Sequence, residues 1–196
     1  MLRRFLAVFV AALVIVPSAF AVRVHVRVEG KTHTIFGTTA PFVNVKANAL
    51  DALESASNAG EFYYHVQQTS FGPYVDQIAR YAAAGQTGWV FKVNGQSPPV
   101  GADAVTLKDG DTVLWYWAQF GVAGGPKTLV LQRRGRCYTV LQQDDAGAAS
   151  RANGAELQIG SKRTVQTRNG RACIGPHKGV LVRGVLGGAV RSNALA

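Results

Sequence analysis

Reagents for covalent and metal chemistry are scarce in this chain of 196 residues, which holds two cysteines, four histidines and one methionine. No carboxylate or thiol stands at ligand spacing around His25, His33, His65 or His177, so no metal site is expected. No Gly-x-Ser-x-Gly elbow occurs, and no Ser, His and Asp trio can be assembled. The run Gly121-Val122-Ala123-Gly124-Gly125-Pro126-Lys127-Thr128 approaches a phosphate loop. It places proline where that loop needs glycine and a backbone donor, and it leads into a strand pattern instead of a helix. The length also falls short of the roughly 250 residues of a barrel enzyme. No catalytic residue and no required cofactor emerges, and the chain is not expected to be an enzyme. With 47% apolar and 16% charged residues it is expected to fold.

Long apolar runs are missing beyond the first segment. Arg3 and Arg4 precede an unbroken apolar run of 12 residues, Phe5 to Val16, and Pro17-Ser18 then leads to Ala19-Phe20-Ala21. A positive start, an apolar middle and small residues at the two positions a peptidase reads make residues 1–21 a secretory signal peptide. As a helix that run would reach about 18 Å, against a hydrocarbon core of about 30 Å. The product is therefore expected to be secreted, with no integral membrane segment after cleavage.

Acidic residues are outnumbered, 11 against 21 Lys and Arg, for a net charge of +10. The excess sits in one segment: residues 22–125 carry seven basic and eight acidic residues, whereas residues 126–196 carry twelve and three. The change coincides with the Gly/Pro stretch, read as a linker at 123–127 between a domain at 22–122 and another at 128–196.

In the first of these, Val22, Val24, Val26 and Val28 alternate with Arg23, His25, Arg27 and Glu29, which predicts a half-buried strand with its polar side in water. Gly30-Lys31 turns it into a second strand, Thr32 to Phe36. Asn48 caps a helix in which Ala49, Leu53 and Ala56 share a face, Asp51 and Glu54 lie at the positive end, and Gly60 is the stop. Phe62 to Gln67, Tyr74 to Ile78, Trp89 to Val93 and Thr112 to Trp117 read as strands, with turns at Asn94-Gly95 and Asp109-Gly110-Asp111. Beyond Pro126 the pattern is all-β: Thr128 to Gln132, Arg136 to Gln142, Glu156 to Ile159, Arg163 to Thr167, Arg171 to Ile174 and Gly179 to Val185. Asn169-Gly170 is read as the hairpin turn between two of them. Cys137 and Cys173 each fall in a strand, and an exported chain with two cysteines most simply pairs them. The expected class is α+β, a β-grasp-like domain with one helix on a mixed sheet, followed by a small all-β sandwich.

The residues from Gly72 to Trp117 carry a recognisable series. Tyr74 leads to Gly88-Trp89, Asn94-Gly95, Val100-Gly101-Ala102-Asp103, Lys108-Asp109-Gly110-Asp111 and Trp115-Tyr116-Trp117. This order resembles the transcobalamin-like C-terminal domain, a bacterial secreted module also known as domain of unknown function 4430, over roughly Val22 to Gln119. The rest more loosely resembles an immunoglobulin-like β-sandwich. The first resemblance implies a domain that binds. In the vitamin B12 carriers of animals, the related domain closes over one face of the corrinoid while a helical barrel holds the other. A single helix near Leu50 cannot build that barrel, so a corrinoid grip here is expected to be one-sided or completed by a partner.

Tyr74, Trp89, Phe91 and Trp117 are the candidate ligand-binding residues, among which Tyr74 and Trp89 match the family's series most clearly. Aromatic residues in strands also serve as core, and alternation puts Trp115 and Trp117 on one face and Tyr116 on the other. Both readings stand at this point. The ligand is expected to be a small molecule, with a corrinoid suggested by the resemblance, or a protein. The basic segment, with Arg133, Arg134, Arg136, Lys162, Arg163, Arg168, Arg171, Lys178, Arg183 and Arg191, is either a solvated face or a contact for an anionic envelope polymer. Export argues against nucleic acid. The alternative to a ligand binder is a structural or adhesive protein of the cell envelope.

Overall fold

The computed structural model describes residues 21–121 and 124–196. The signal-peptide reading therefore falls outside the described residues except at Ala21, as do Val122 at the end of the first proposed domain and Ala123 at the start of the proposed linker.

The chain begins with β1 (Val22–Glu29), β2 (Thr34–Phe36) and β3 (Phe42–Val45), then α1 (Ala49–Gly60). There follow β4 (Tyr64–Thr69), β5 (Gly72–Ile78), β6 (Tyr81–Ala82), β7 (Thr87–Val93), a single 3-10 turn at Ala102–Ala104, and β8 (Thr112–Gln119). The remainder is β9 (Thr128–Arg134), β10 (Cys137–Gln143), β11 (Ala149–Arg151), β12 (Glu156–Ile159), β13 (Arg163–Gln166), β14 (Arg171–Cys173), β15 (Val182–Val185) and β16 (Ala194–Leu195).

This inventory corrects the expected α+β class. Among the described residues, one helix of 12 residues stands against sixteen strands, and the molecule is mostly β, built on several sheets. The strands the sequence pattern passed over, β3, β6, β11 and β16, have two to four residues each, too few for a period of two to register.

The first sheet is ordered β2-β1-β8-β7, with β3 also on β1. Its centre is a parallel pair, β1 with β8, and its other pairings are antiparallel. The valines of β1 turn Val24, Val26 and Val28 onto α1, which answers with Ala49, Ala52, Leu53 and Ala56 in one apolar core. Asn48 caps α1 as the sequence suggests: its side chain accepts from the Asp51 backbone at 2.9 Å, and the Asp51 carboxylate takes the Asn48 N–H at 3.1 Å. Gly60 is still helical, however, and Glu61 makes the left-handed exit with φ 50°. A separate three-stranded meander, β4-β5-β6, leans on this core through Val75 and Ile78.

The polar side of β1 departs from expectation. Arg27 and Glu29 are buried, because residues more than 150 positions later cover that end of the strand. On the same reverse face, Leu114, Tyr116 and Ala118 of β8 pack with Val90 and Val190.

The second half folds into two four-stranded sheets sharing a core of Leu129, Leu131, Tyr138, Val140, Leu157, Ile159, Ile174 and Val182. Cys137 and Cys173 form a disulfide across directly paired positions of β10 and β14, with Cα atoms 3.9 Å apart. Asn169 and Gly170 make the expected tight hairpin turn, at φ 48° and 68°, closed by a pair of bonds between Arg168 and Arg171, but the antiparallel pairing goes no further. β13 pairs with β12 in one sheet and β14 with β10 in the other, so the turn carries the chain between sheets. No helix among the described residues is long and apolar enough to cross a membrane.

Candidate aromatic groove

β7 is the last strand of its sheet, and its free edge lies against β5. Alternation along β7 and β8 sends Trp89, Phe91, Trp115 and Trp117 to the helix side. There Phe91 stacks on Trp115 with centroids 5.0 Å apart, and Trp89 meets Trp117 edge-on at 5.6 Å. Each interior indole N–H is satisfied: Trp89 Nε1 donates to the Tyr81 carbonyl at 2.8 Å, and Trp115 Nε1 to the Ala49 carbonyl at 3.2 Å. These bonds lock the rings in place.

Where β5 and β7 meet, they leave a half-open groove of about 310 Å³, lined by Tyr74, Val75, Trp89, Phe91, Trp115 and Phe120, with Ser97 and Asp145 at the rim. Tyr74 and Phe120 are each 39% exposed, whereas Trp89 is 2% exposed. The Tyr74 phenol lies over Gly88, where a Cβ would sit 2.5 Å from its oxygen. Partial burial raises its pKa, the nearby Trp89 N–H opposes the shift, and the Asp76 charge adds to it.

The structure thus gathers Tyr74, Trp89 and Phe91 in one groove. Trp117, the fourth candidate, instead lines a neighbouring cleft of about 500 Å³ with Lys31, Gln119, Phe120 and Arg191. Phe120 and Asp145 were missed. Phe120 lies one residue beyond the recognisable aromatic strand, and Asp145 comes from the other half of the chain with no local pattern to connect it.

Asp145 reaches the groove through a polar junction. The Lys92 ammonium, 1% exposed, donates to the Asp144 carbonyl at 2.7 Å and to Thr128 Oγ1 at 3.2 Å, and faces Asp145 at 3.4 Å. Burial lowers its pKa and Asp145 partly restores it. Tyr116 beneath it is pushed up to about 12 by burial, with Asp145 adding to the rise. On the same face of the sheet, the fully buried Glu29 carboxylate is held by three arginines: Arg27 at 3.2 Å, Arg183 at 3.3 Å and Arg191 at 2.9 Å. Thr34 completes the cage at 3.0 Å. Burial lowers the Arg27 pKa to about 10, against the pull of Glu29.

The basic segment forms two shallow cationic hollows. One, of about 340 Å³, is bordered by Arg133, Arg136, His177 and Lys178, and the other, of about 530 Å³, by Arg151, Arg168 and Arg171. His177 Nδ1 donates to the Gly175 carbonyl at 2.7 Å, and its Nε2 lies 2.7 Å from the Tyr138 hydroxyl.

Residues 47–119 match the family model described as Domain of unknown function (DUF4430). The match opens just before α1 and closes at the end of β8, so it takes in every groove residue except Phe120 and Asp145. No curated protein matches the chain.

Proposed function

We propose that this chain is an exported, non-catalytic binding protein and that the groove beneath Tyr74 seats its ligand. The observation that carries this reading is the convergence of Tyr74, Trp89 and Phe91, with Phe120 beside them, on one concave surface whose outer rings stay in water. Rigid aromatic walls with a few polar groups at the rim are what recognition of a flat or extended apolar ligand requires. Export accords with the disulfide between Cys137 and Cys173.

A corrinoid is the small molecule that the transcobalamin likeness suggests. A groove of about 310 Å³ is at the lower limit of ligand sites, about 300–1,000 Å³. It would take an edge of such a macrocycle and leave the rest to a partner. Absorbance titration of the purified chain with cobalamin tests this: a saturable spectral change, weakened about tenfold or more by Phe91→Ala, is expected. Absence of both spectral change and heat of binding at high micromolar ligand rejects the corrinoid.

The two arginine-bordered hollows favour a second reading, in which the basic half contacts an anionic envelope polymer. Retention of the chain on such a polymer should fall steeply between low and high salt. Retention indifferent to salt removes this electrostatic reading.

A further inference from the structure

The edge of β7 is closed by its own chain at both ends and open in the middle. The bonds from Asn94 N–H to the Thr112 carbonyl and from Phe120 N–H to the Gln86 carbonyl fix the ladder phase. Even-numbered residues of β7 bond to β8, and Thr87, Trp89, Phe91 and Val93 turn their backbone groups outward. Thr87 exchanges two bonds with Ala84, and Val93 exchanges two with Gln96. Between them, the N–H and carbonyl groups of Trp89 and Phe91 have no backbone or side-chain hydrogen-bond partner among the described residues, and the Tyr74 phenol lies beside this stretch, over Gly88. Bare edges are a hazard that proteins normally cover. Here the cover stops at the residues that line the aromatic groove.

We infer that the groove takes an extended polypeptide segment of a partner protein, added as a strand to the open edge of β7 at Trp89–Phe91. This deepens the ligand-site reading above and rests on it. Two N–H groups and two carbonyls, of Trp89 and Phe91, along one strand edge match the repeat of an extended backbone. The rings of Phe91 and Phe120 offer seats for its alternate apolar side chains. Charge selects the segment further. Asp145 lines the groove with its side chain 57% exposed, and Asp76 and Asp103 directly follow the lining residues Val75 and Ala102. The fitting segment is therefore neutral or basic, apolar at every second residue, and free of proline at the positions that face β7.

The test pans a phage-displayed library of random nonapeptides on the immobilised full chain and remakes the enriched sequences as synthetic peptides. Three results are expected. Enriched peptides alternate apolar and neutral or basic residues. N-methylation at every second amide weakens binding tenfold or more, while methylation of the intervening amides does not. Binding slows hydrogen exchange at the Phe91 amide, with the Val90 and Lys92 amides slow from the start. Absence of enrichment, a methylation profile without alternation, or a Phe91 amide indifferent to the peptide overturns strand addition. Cobalamin titration separates the two levels. A cobalamin signal that Phe91→Ala weakens, without peptide enrichment, keeps the groove as a ligand site and rejects the strand; loss of both rejects both.

Discussion

The Tyr116 hydroxyl lies between the back of the first sheet and Asp145, and burial holds its pKa at about 12. An unfolded tyrosine ionises near 10. In the unfolded chain this group therefore loses its proton first, and the stability linked to its neutral form is complete below about pH 10 and drains away as pH rises toward 12. Tyr116→Phe should flatten the alkaline fall of the melting temperature in that window, and the native chain should show one phenol that ionises well after the exposed ones by ultraviolet absorbance. Arg27, lowered to about 10 by its own burial, contributes the opposite slope over the same range, so the comparison has to be made between the two proteins rather than read from either alone. Gly88 holds a second single-atom constraint. Any side chain there strikes the Tyr74 oxygen, and Gly88→Ala should drive the phenol outward into water, bringing the Tyr74 pKa, raised chiefly by burial, down toward the ordinary value in a spectrophotometric titration.

Among the elements, α1 was readable because everything that starts and orients it is local: the cap, the reciprocal bond from Asp51, and an apolar face at i, i+4 and i+7. Replacing Asn48 by Ala should cost about 1 kcal/mol in chemical denaturation, since it strands helix donors that nothing else reaches. The exit was misplaced by one residue because Gly60 looks like a stop, while Glu61 takes the left-handed turn. Asn169-Gly170 teaches a related limit: dipeptide chemistry fixes a tight turn but carries no information on which sheet each flanking strand joins. The candidate site was half legible. Tyr74, Trp89 and Phe91 could be picked from strand position and aromatic character. Trp117 was added by the same rule, yet it lines the neighbouring cleft, while Trp115 two residues earlier on the same face of β8 reaches the groove. Asp145 had no signal at all, since only the packing of two distant segments brings it to the rim.

At the scale of the whole molecule, two long-range connections dominate. The disulfide closes a sequence separation of 36 residues, and its loss in a Cys137→Ser, Cys173→Ser double variant should cost roughly 4 kcal/mol by loop entropy, read as a drop in unfolding midpoint. The Glu29 cage is the other. Removing the carboxylate leaves three guanidinium groups facing one another in the interior, and Glu29→Ala should destabilise by about 3–5 kcal/mol. The expected α+β class is overturned at this scale, where one helix stands against sixteen strands among the described residues, and the arginines of the basic half bury a side of β1 that alternation assigns to solvent.

That cage also orders events in time. A ribosome delivers β1 early, with an acid whose native place is dry, while the guanidinium of Arg191 that grips it emerges 162 residues later. Until then the nascent sheet must leave Glu29 wet, and that face of the molecule is finished last.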